Sequence, residues 1–424
     1  MKSHVIVIGH IEGIDAYVSN SQYTLSLICH SIKGVVDNND AKEYYSDVFR
    51  FEIPPRIDVD CYDNSIEAIY DLCGEAITKY GKPVAIIGIY EHTVLPAARL
   101  REKYDIPGAT PVMVTICRDK VAMREYLAKS GVAIPRYIYL EDELSINQLD
   151  TVFENINKGV MLKPVSQCGA LGIRYYPSLV ELKKYLKQET NISERIYAEE
   201  YIDAPIYHID GVLRNRELKL LSISAYEHSC FDVINKRKPL CSITIDDKVL
   251  FEILENATRD ILRTLPFSDL VFHLELFVEP NKRIVFLEIA CRFGGAGVRQ
   301  VVSNSLGVDL MEEALLIDMG LPSALSSKSI IRSVEGDSFG YLYVYPEEEG
   351  VTRVVNVVGL KSLSKDIIWS KTPKKNDILT EEINGRWPNG GAFIFKANTY
   401  LSSKNLFQEI ISSYRVECEL YEKN

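Results

Sequence analysis

No apolar run in this sequence is long enough to cross a membrane. The first, Val5 to Ile8, stops after four residues at Gly9, whereas a helical span needs about 20 and a secretory leader about 7 to 15. Neither a leader nor a span is therefore expected, and the chain reads as soluble and cytoplasmic, with no membrane partner. Basic charge is in deficit: 48 Lys and Arg face 59 Asp and Glu, giving a net charge of -11 and a pI near 5.3. That balance argues against a broad nucleic-acid-binding face, although a local cation cluster for a small anion is compatible with it. The nine cysteines are odd in number and scattered, with no CxxC and no Cys/His spacing of a zinc site. Free thiols in a reducing compartment are the simpler reading. The turn Gly9 to Gly13 is not GxGxxG, which weighs against a dinucleotide site, and no GKS or GKT completes a Walker A loop. Internal repeats and low-complexity tracts are also lacking.

What is there fits a large globular α/β (α+β) protein. At 46% hydrophobic and 25% charged residues, 424 positions suffice for about three folding units. Strands are expected at Val5–Ile8, Leu25–Cys29 and Pro83–Tyr90, with a helix over 65–80 carrying Ile66, Ile69, Tyr70, Cys73 and Ile77 at helical spacing. Strand–helix alternation implies a doubly wound, mostly parallel sheet in residues 1–115. A second unit, 116–204, opens with Asp119 as an N-cap and a helix from Lys120 to Ser130. Strands Val160–Lys163 and Gly172–Tyr176, a helix over 178–187 and a strand Arg195–Ile202 follow. In the third, 205–330, a helix spans Asp246–Leu265, a hairpin spans Val271–Ala290, and Asp309 with Glu312 resembles a capping box. The tail, 331–424, reads as strands and turns punctuated by Pro346, Gly350, Gly359, Pro388, Gly390 and Gly391.

The strongest chemical signal lies in the hairpin. A turn centred on Asn281 and Lys282 puts Glu275 directly opposite Glu288, with Cβ atoms about 5 Å apart, a destabilising arrangement for like charges. A divalent cation relieves it, and all-oxygen ligation favours Mg²⁺. In the alternative, the register slips and the two carboxylates never meet. Arg292 follows on the glycine-rich run from Ala290 to Gly297, where its forked guanidinium suits phosphate or carboxylate, or simply neutralises Glu288. The loop from Ser166 through Gly169 to Gly172 offers backbone N–H groups of the kind that cover phosphates, or is an ordinary turn. Lys120, in the first turn of a helix, opposes the macrodipole unless an anion binds there.

Taken in order, these segments resemble the ATP-grasp superfamily over nearly the whole chain. Arg118 to Arg124, with Gly131 to Pro135, is similar to the segment holding the first ATP-binding lysine, here Lys120. Met161 to Pro164 is similar to the segment holding the second, Lys163. The resemblance implies an ATP-grasp fold: an N-terminal doubly wound domain, a central lid subdomain and a C-terminal α+β domain. It also implies a phosphate-covering loop from Ser166 to Gly172, a hinge over Glu199, Glu200, Tyr201 and Ile202 that reads adenine, and Mg²⁺ (or Mn²⁺) on Glu275 and Glu288. Arg292, Glu288 and Lys163 would then act on the reacting phosphoryl group. Two departures stand out. The position aligned with a ribose-binding acid is Ile206, leaving Asp203 or His208 as substitutes, and Ala290 stands where many members have Asn. The second variant, with Tyr341 to Tyr345 and Val357 to Leu360, resembles the L-amino acid ligase and carboxylate–amine ligase branch. The branch implies small-molecule carboxylate and amine substrates, an acyl-phosphate intermediate, ADP as product, and a homodimer as a common assembly. Glu91, His92 and Arg299 are the candidate substrate-pocket residues. A bicarbonate-activating carboxylase and a nucleotide-binding protein without catalysis are the alternatives.

Overall fold

The computed structural model describes residues 2–19, 21–31, 43–53, 59–188, 195–359, 364–380 and 389–421. Leu360 and Pro388, used above, lie outside them. The N-terminal strands form a parallel sheet in which Ser3–Ile8 lies between Tyr23–His30 and Ala85–Ile87, with Asp47–Phe51 at the edge. The last of these carries Asp47 and Arg50 among its apolar residues and has no clear apolar pattern, so it was not expected. Even-numbered side chains Ile6, Ile8, Ile28 and Ile86 pack with Ile69, Cys73, Ala97 and Leu100 of helices Ile66–Tyr80 and Val94–Tyr104. The alternate set, Val5, Val7, Leu25, Leu27 and Ile87, joins Val298, Val301 and Leu310 of the C-terminal body in one core. A strand covered on both faces needs no polar alternation, which is why Val5 to Ile8 is uniformly apolar.

The expected boundary at 115 falls inside helix Pro111–Arg118, capped by Thr110. Asp119 alone separates it from helix Lys120–Leu127, where it accepts from Val121 N and Ala122 N as a true N-cap. The lid is an antiparallel sheet in the order Tyr137–Leu140, Ile196–Glu200, Val160–Pro164, Arg174–Tyr176. Leu162 and Ala198 bury one face of it against Leu182 and Leu186 of helix Leu179–Gln188.

The body is one nine-stranded sheet. From the edge Ile284–Ala290 it runs through Leu270–Val278, Ile206–Arg214, Glu217–Tyr226, Leu240–Thr244, Ser338–Val344 and Gly391–Ala397 to Ile367–Lys371, with Ile331–Arg332 beside Glu217–Tyr226. Strands from the tail thus share a sheet with those before residue 330. The tail also holds helix Tyr400–Ser413 where only strands and turns were expected. Thr399 caps it, and Leu406, Phe407 and Ile410 anchor it in a core of their own. The helix expected over Asp246–Leu265 spans Lys248–Thr264 and is capped by Asp247. The capping box at Asp309 gives way to a one-sided cap. Asp309 accepts from Met311 N, and its carboxylate also takes Arg299 and the Tyr17 hydroxyl at 2.6 Å.

Strand Leu270–Val278 shows how the body builds a site. Leu270, Phe272, Leu274 and Leu276 enter the core with Phe251, Leu254 and Ile261 of helix Lys248–Thr264. Their neighbours His273, Glu275 and Phe277 are left for the opposite face, where they line a cavity.

Candidate active site

A cavity of about 1480 Å³ lies where the N-terminal sheet, the lid and the body meet. Lys120, Lys163, Gly169, Glu199, Glu200, Tyr201, Ile202, Glu275, Glu288 and Arg292 all line it, as do Glu91, His92 and Arg299. Two expected members do not. Ser166 turns its hydroxyl to Asp60 Oδ2 at 2.5 Å, and Gly172, at φ +72°, tucks against Pro164. Both ends of the loop serve its anchoring, while Gly169 and its neighbours Cys168, Ala170 and Leu171 face the cavity.

The hairpin register brings Glu275 opposite Glu288, so the slipped alternative does not hold. The turn itself differs from expectation. Nearer the loop, Leu276 pairs with Phe286 and Val278 with Ile284, one residue out of step with the outer rungs. Leu287 is the extra residue, and this bulge restores the Glu275–Glu288 rung. Glu275 is buried, and its Oε1 accepts from the Tyr226 hydroxyl at 2.9 Å and lies 3.4 Å from His273 Nε2. Glu288 is more open and lies 3.4 Å from Lys120 Nζ.

Behind Glu275 stands a polar block that the motif reading missed. His208 and Asp210, two apart on one strand, face Glu275 and His273, two apart on the next. Asp210 accepts from both rings, at 2.7 Å from His208 Nδ1 and 2.9 Å from His273 Nδ1, and from Gly294 N at 3.2 Å. His208 Nε2 meets Ser242 Oγ at 2.5 Å. His273 therefore sits between two carboxylates. Burial opposes its charge, but Asp210 and Glu275 raise it to about 10, and with that support Glu275 stays below the usual carboxylate range despite its burial. One donor atom each from His208, Asp210 and His273 lies within 4.8 Å of the others. Each ring nitrogen already has a partner, so the geometry is that of a hydrogen-bonded support for Glu275. His208 is thereby removed as a ribose ligand. Asp203 keeps its place on the cavity wall, 3.6 Å from Lys158. The signal in the sequence was the i, i+2 pairing of His with an acid on two strands, which is bland on either strand alone.

The cations are each matched by an acid. Lys163 and Arg124 both pair with Glu199, all three buried. Burial would raise the Glu199 carboxyl, and these two neighbours hold it below its ordinary range instead. Glu91 is gripped by Arg118 and Arg292, which outweigh its burial and keep it ionised. Burial pushes the adjacent His92 down to about 4, so it is a neutral ring. Lys120 leaves its helix end to meet Gln167 O of the loop and Glu288, and Arg118 reaches Ser166 O at 3.1 Å. The loop is thus tied down by Lys120, expected to hold phosphate, and by its neighbour Arg118.

No protein-family model matches the chain. Over 249 residues it is 22% identical to the L-arginine-specific L-amino acid ligase of Bacillus subtilis, a match covering 57% of this chain and 59% of that one. The matched length is thus about three-fifths of that relative. Among solved structures, an L-amino acid ligase from Bacillus licheniformis superposes with a TM-score of 0.73 at 15% identity, covering 100% of this chain and 99% of the other. The biotin carboxylase domain of the Hydrogenobacter thermophilus 2-oxoglutarate carboxylase, solved with MgADP, ADP and bicarbonate, gives 0.67 at 16% identity, covering 99% and 91%. Among the described residues no helix is long and apolar enough to cross a membrane. With this fold and this order of motifs, the chain resembles the ATP-grasp superfamily and, within it, the L-amino acid ligase branch.

Proposed function

We propose that the protein is an ATP-dependent carboxylate–amine ligase that forms an amide through an acyl phosphate and releases ADP and phosphate. The observation that carries this reading is the convergence of the facing Glu275 and Glu288 with Lys120, Lys163 and Arg292 on one cavity. Two carboxylates on one rung, backed by a hydrogen-bonded His273, are an all-oxygen donor set that fits Mg²⁺. Held there, Mg²⁺ (or Mn²⁺) would supply charge neutralisation to the terminal phosphates of ATP.

The chain's own residues account for the rest. The hinge from Glu199 to Ile202 forms the wall for adenine, with the Glu199 carboxylate committed to Lys163 and Arg124. Adenine would therefore meet the hinge through backbone groups and the outer residues. Lys120, Lys163 and Arg292 place positive charge along the phosphates and, at the far end, beside Glu91. A substrate carboxylate oxygen attacks the γ-phosphorus and the bond to the ADP oxygen breaks. The amine then attacks the acyl carbon and phosphate leaves. The protein's part is positioning and electrostatic stabilisation. The loop from Ser166 to Gly172, tied to Lys120, Arg118 and Asp60, excludes water from the intermediate.

A second reading, bicarbonate activation, is favoured by the likeness to a biotin carboxylase domain solved with bicarbonate. One experiment separates them. A panel of amino acids and other carboxylates is screened with amines for phosphate release, and the best acid is then labelled with ¹⁸O. One labelled oxygen is expected in the released phosphate, with ADP as the only nucleotide product. Label transferred only from bicarbonate would favour the carboxylase. AMP would contradict both, and unlabelled phosphate would indicate simple ATP hydrolysis.

A further inference from the structure

Strand Ile284–Ala290, which carries Glu288, is the edge of the nine-stranded sheet. Among the described residues no strand pairs with its outward N–H and C=O groups, and an unpaired edge is ordinarily a liability. Here the segment from Met123 to Ala133 takes the place of the missing neighbour. Ala133 bridges to Val285, and its carbonyl accepts from Phe286 N at 2.8 Å. Arg124 Nη2 donates to Leu287 O at 3.2 Å. Met123 Sδ accepts from Ile289 N at 3.4 Å. The backbone groups on either side of Glu288 therefore end on the helix whose first residue, Lys120, faces the Glu288 carboxylate.

Arg124 is the centre of this arrangement. It is 0% exposed, donates Nη1 to Lys120 O at 2.8 Å, and pairs with Glu199 of the hinge strand. Leu287 is the bulged residue, so its carbonyl leaves the regular ladder where Arg124 receives it. A planar fork can serve a carboxylate and two carbonyls together, whereas an ammonium on a flexible stem cannot hold the same three directions.

We infer that Arg124 is a positioning residue for Glu288: it fixes the bulge that sets this carboxylate opposite Glu275, and it couples that setting to Glu199 and Lys163. The inference rests on Glu275 and Glu288 being the metal carboxylates. Arg124→Lys tests it, with Mn²⁺ binding followed by electron paramagnetic resonance in the presence of ADP, and ADP binding measured separately in chelator. Amide hydrogen exchange over 284–290 reports on the strand edge. The expected result is a loss of Mn²⁺ affinity of about 10-fold or more, the size seen when groups orienting a metal ligand are removed. Metal-free ADP affinity should stay within about threefold, and exchange at Ile289 should accelerate. Unchanged Mn²⁺ affinity in a folded variant would overturn the inference, as would an equal loss of metal-free ADP binding, which would confine Arg124 to Glu199 and Lys163. Should Arg124→Lys fail to fold, Met123→Leu removes the acceptor for Ile289 N at nearly constant volume. Faster exchange there with a smaller loss of Mn²⁺ affinity is expected, and no change in either would overturn the inference. Glu288→Gln distinguishes the two levels. If it retains Mn²⁺ binding the metal reading itself fails, whereas its loss beside a normal Arg124→Lys removes only the positioning role.

Discussion

Replacing Glu288 by Gln preserves side-chain volume and removes one charge, so its consequences separate function from folding. In the metal-free protein two local effects oppose one another. Relief of the like-charge rung with Glu275 stabilises by about 0.2–1 kcal/mol. The lost pair with Lys120 is 3.4 Å long with side chains 12% and 29% exposed, and a partly solvated pair of this kind contributes about 0–1 kcal/mol. The metal-free stability of the variant should therefore lie within about 1 kcal/mol of the parent. Turnover has no such offset. Removing one preorganised electrostatic element typically costs roughly 10²- to 10³-fold in kcat, and Glu275, already bonded to Tyr226 and His273, cannot position the metal alone. ATP-dependent phosphate release measures the first expectation. Thermal unfolding with nucleotide measures a second. A ligand at 100 times its Kd stabilises by about 2.7 kcal/mol, and the Mg²⁺-dependent share of that gain should vanish in the variant. Near-normal turnover, or a full Mg²⁺-dependent gain, would refute the assignment of Glu288.

The loop from Ser166 to Gly172 should be cut by a protease in the free protein and protected by Mg-nucleotide, because Lys120, which holds Gln167 O of the loop, is a proposed phosphate ligand; equal cleavage in both states would make it an ordinary turn. Stability should fall as pH rises from 6.5, because His273, raised to about 10 in the fold, contributes fully below 6.5 and loses that contribution as pH passes through about 10. His273→Gln should flatten the slope between pH 6.5 and about 8.5, a window below most thiol ionisation, in denaturant titrations. Gly294→Ala should destabilise strongly, since its Cβ would meet His273 Nδ1 at 2.7 Å and Asp210 Oδ1 at 2.8 Å, whereas Gly295→Ala meets nothing within 4 Å and should leave the unfolding midpoint almost unchanged.

Local signals carried far in this chain where the chemistry is local. Asp119 before Lys120 is a cap in sequence and in structure, and the turn centred on Asn281 and Lys282 predicted the Glu275–Glu288 rung, which holds because a bulge offsets the one-residue slip of that turn. The slip was not legible, because a bulge conserves the pattern outside it and shifts the pattern inside. The helix Tyr400–Ser413 was missed for a different reason: its buried residues Ser403, Leu406, Phe407 and Ile410 form a narrow stripe in a segment whose neighbours read as turns. The continuity of the sheet across residue 330 was also hidden. Leu240–Thr244 and Ser338–Val344 are about a hundred residues apart, and no local period announces a pairing of that range. The support of His208, Asp210 and His273 lies between these cases. Each strand shows a His and an acid two residues apart, but only the pairing of the strands makes them one network.

The matching of cations and acids has a mechanistic consequence. Lys120 is engaged by Gln167 O and Glu288, Lys163 by Glu199, and Arg292 by Glu91, so none of the three is a bare positive charge awaiting phosphate. Burying unmatched cations would cost several kcal/mol each, and the acids remove that cost while the site is open to solvent. In the proposed ligase, a triphosphate would compete with Gln167 O and Glu288 for the three N–H donors of Lys120. A weaker hold on Gln167 O would let the loop re-form over the phosphates, and a weaker hold on Glu288 would return a full carboxylate to the rung with Glu275. On that reading nucleotide binding would strengthen the metal site, and a cation on that rung would in turn draw Glu288 away from Lys120. The two events would then be linked through one exchange of partners, each raising the affinity for the other by the same factor. Glu199 stands outside this exchange: held by both Lys163 and Arg124, it would keep the proposed hinge wall fixed while the phosphate end rearranges.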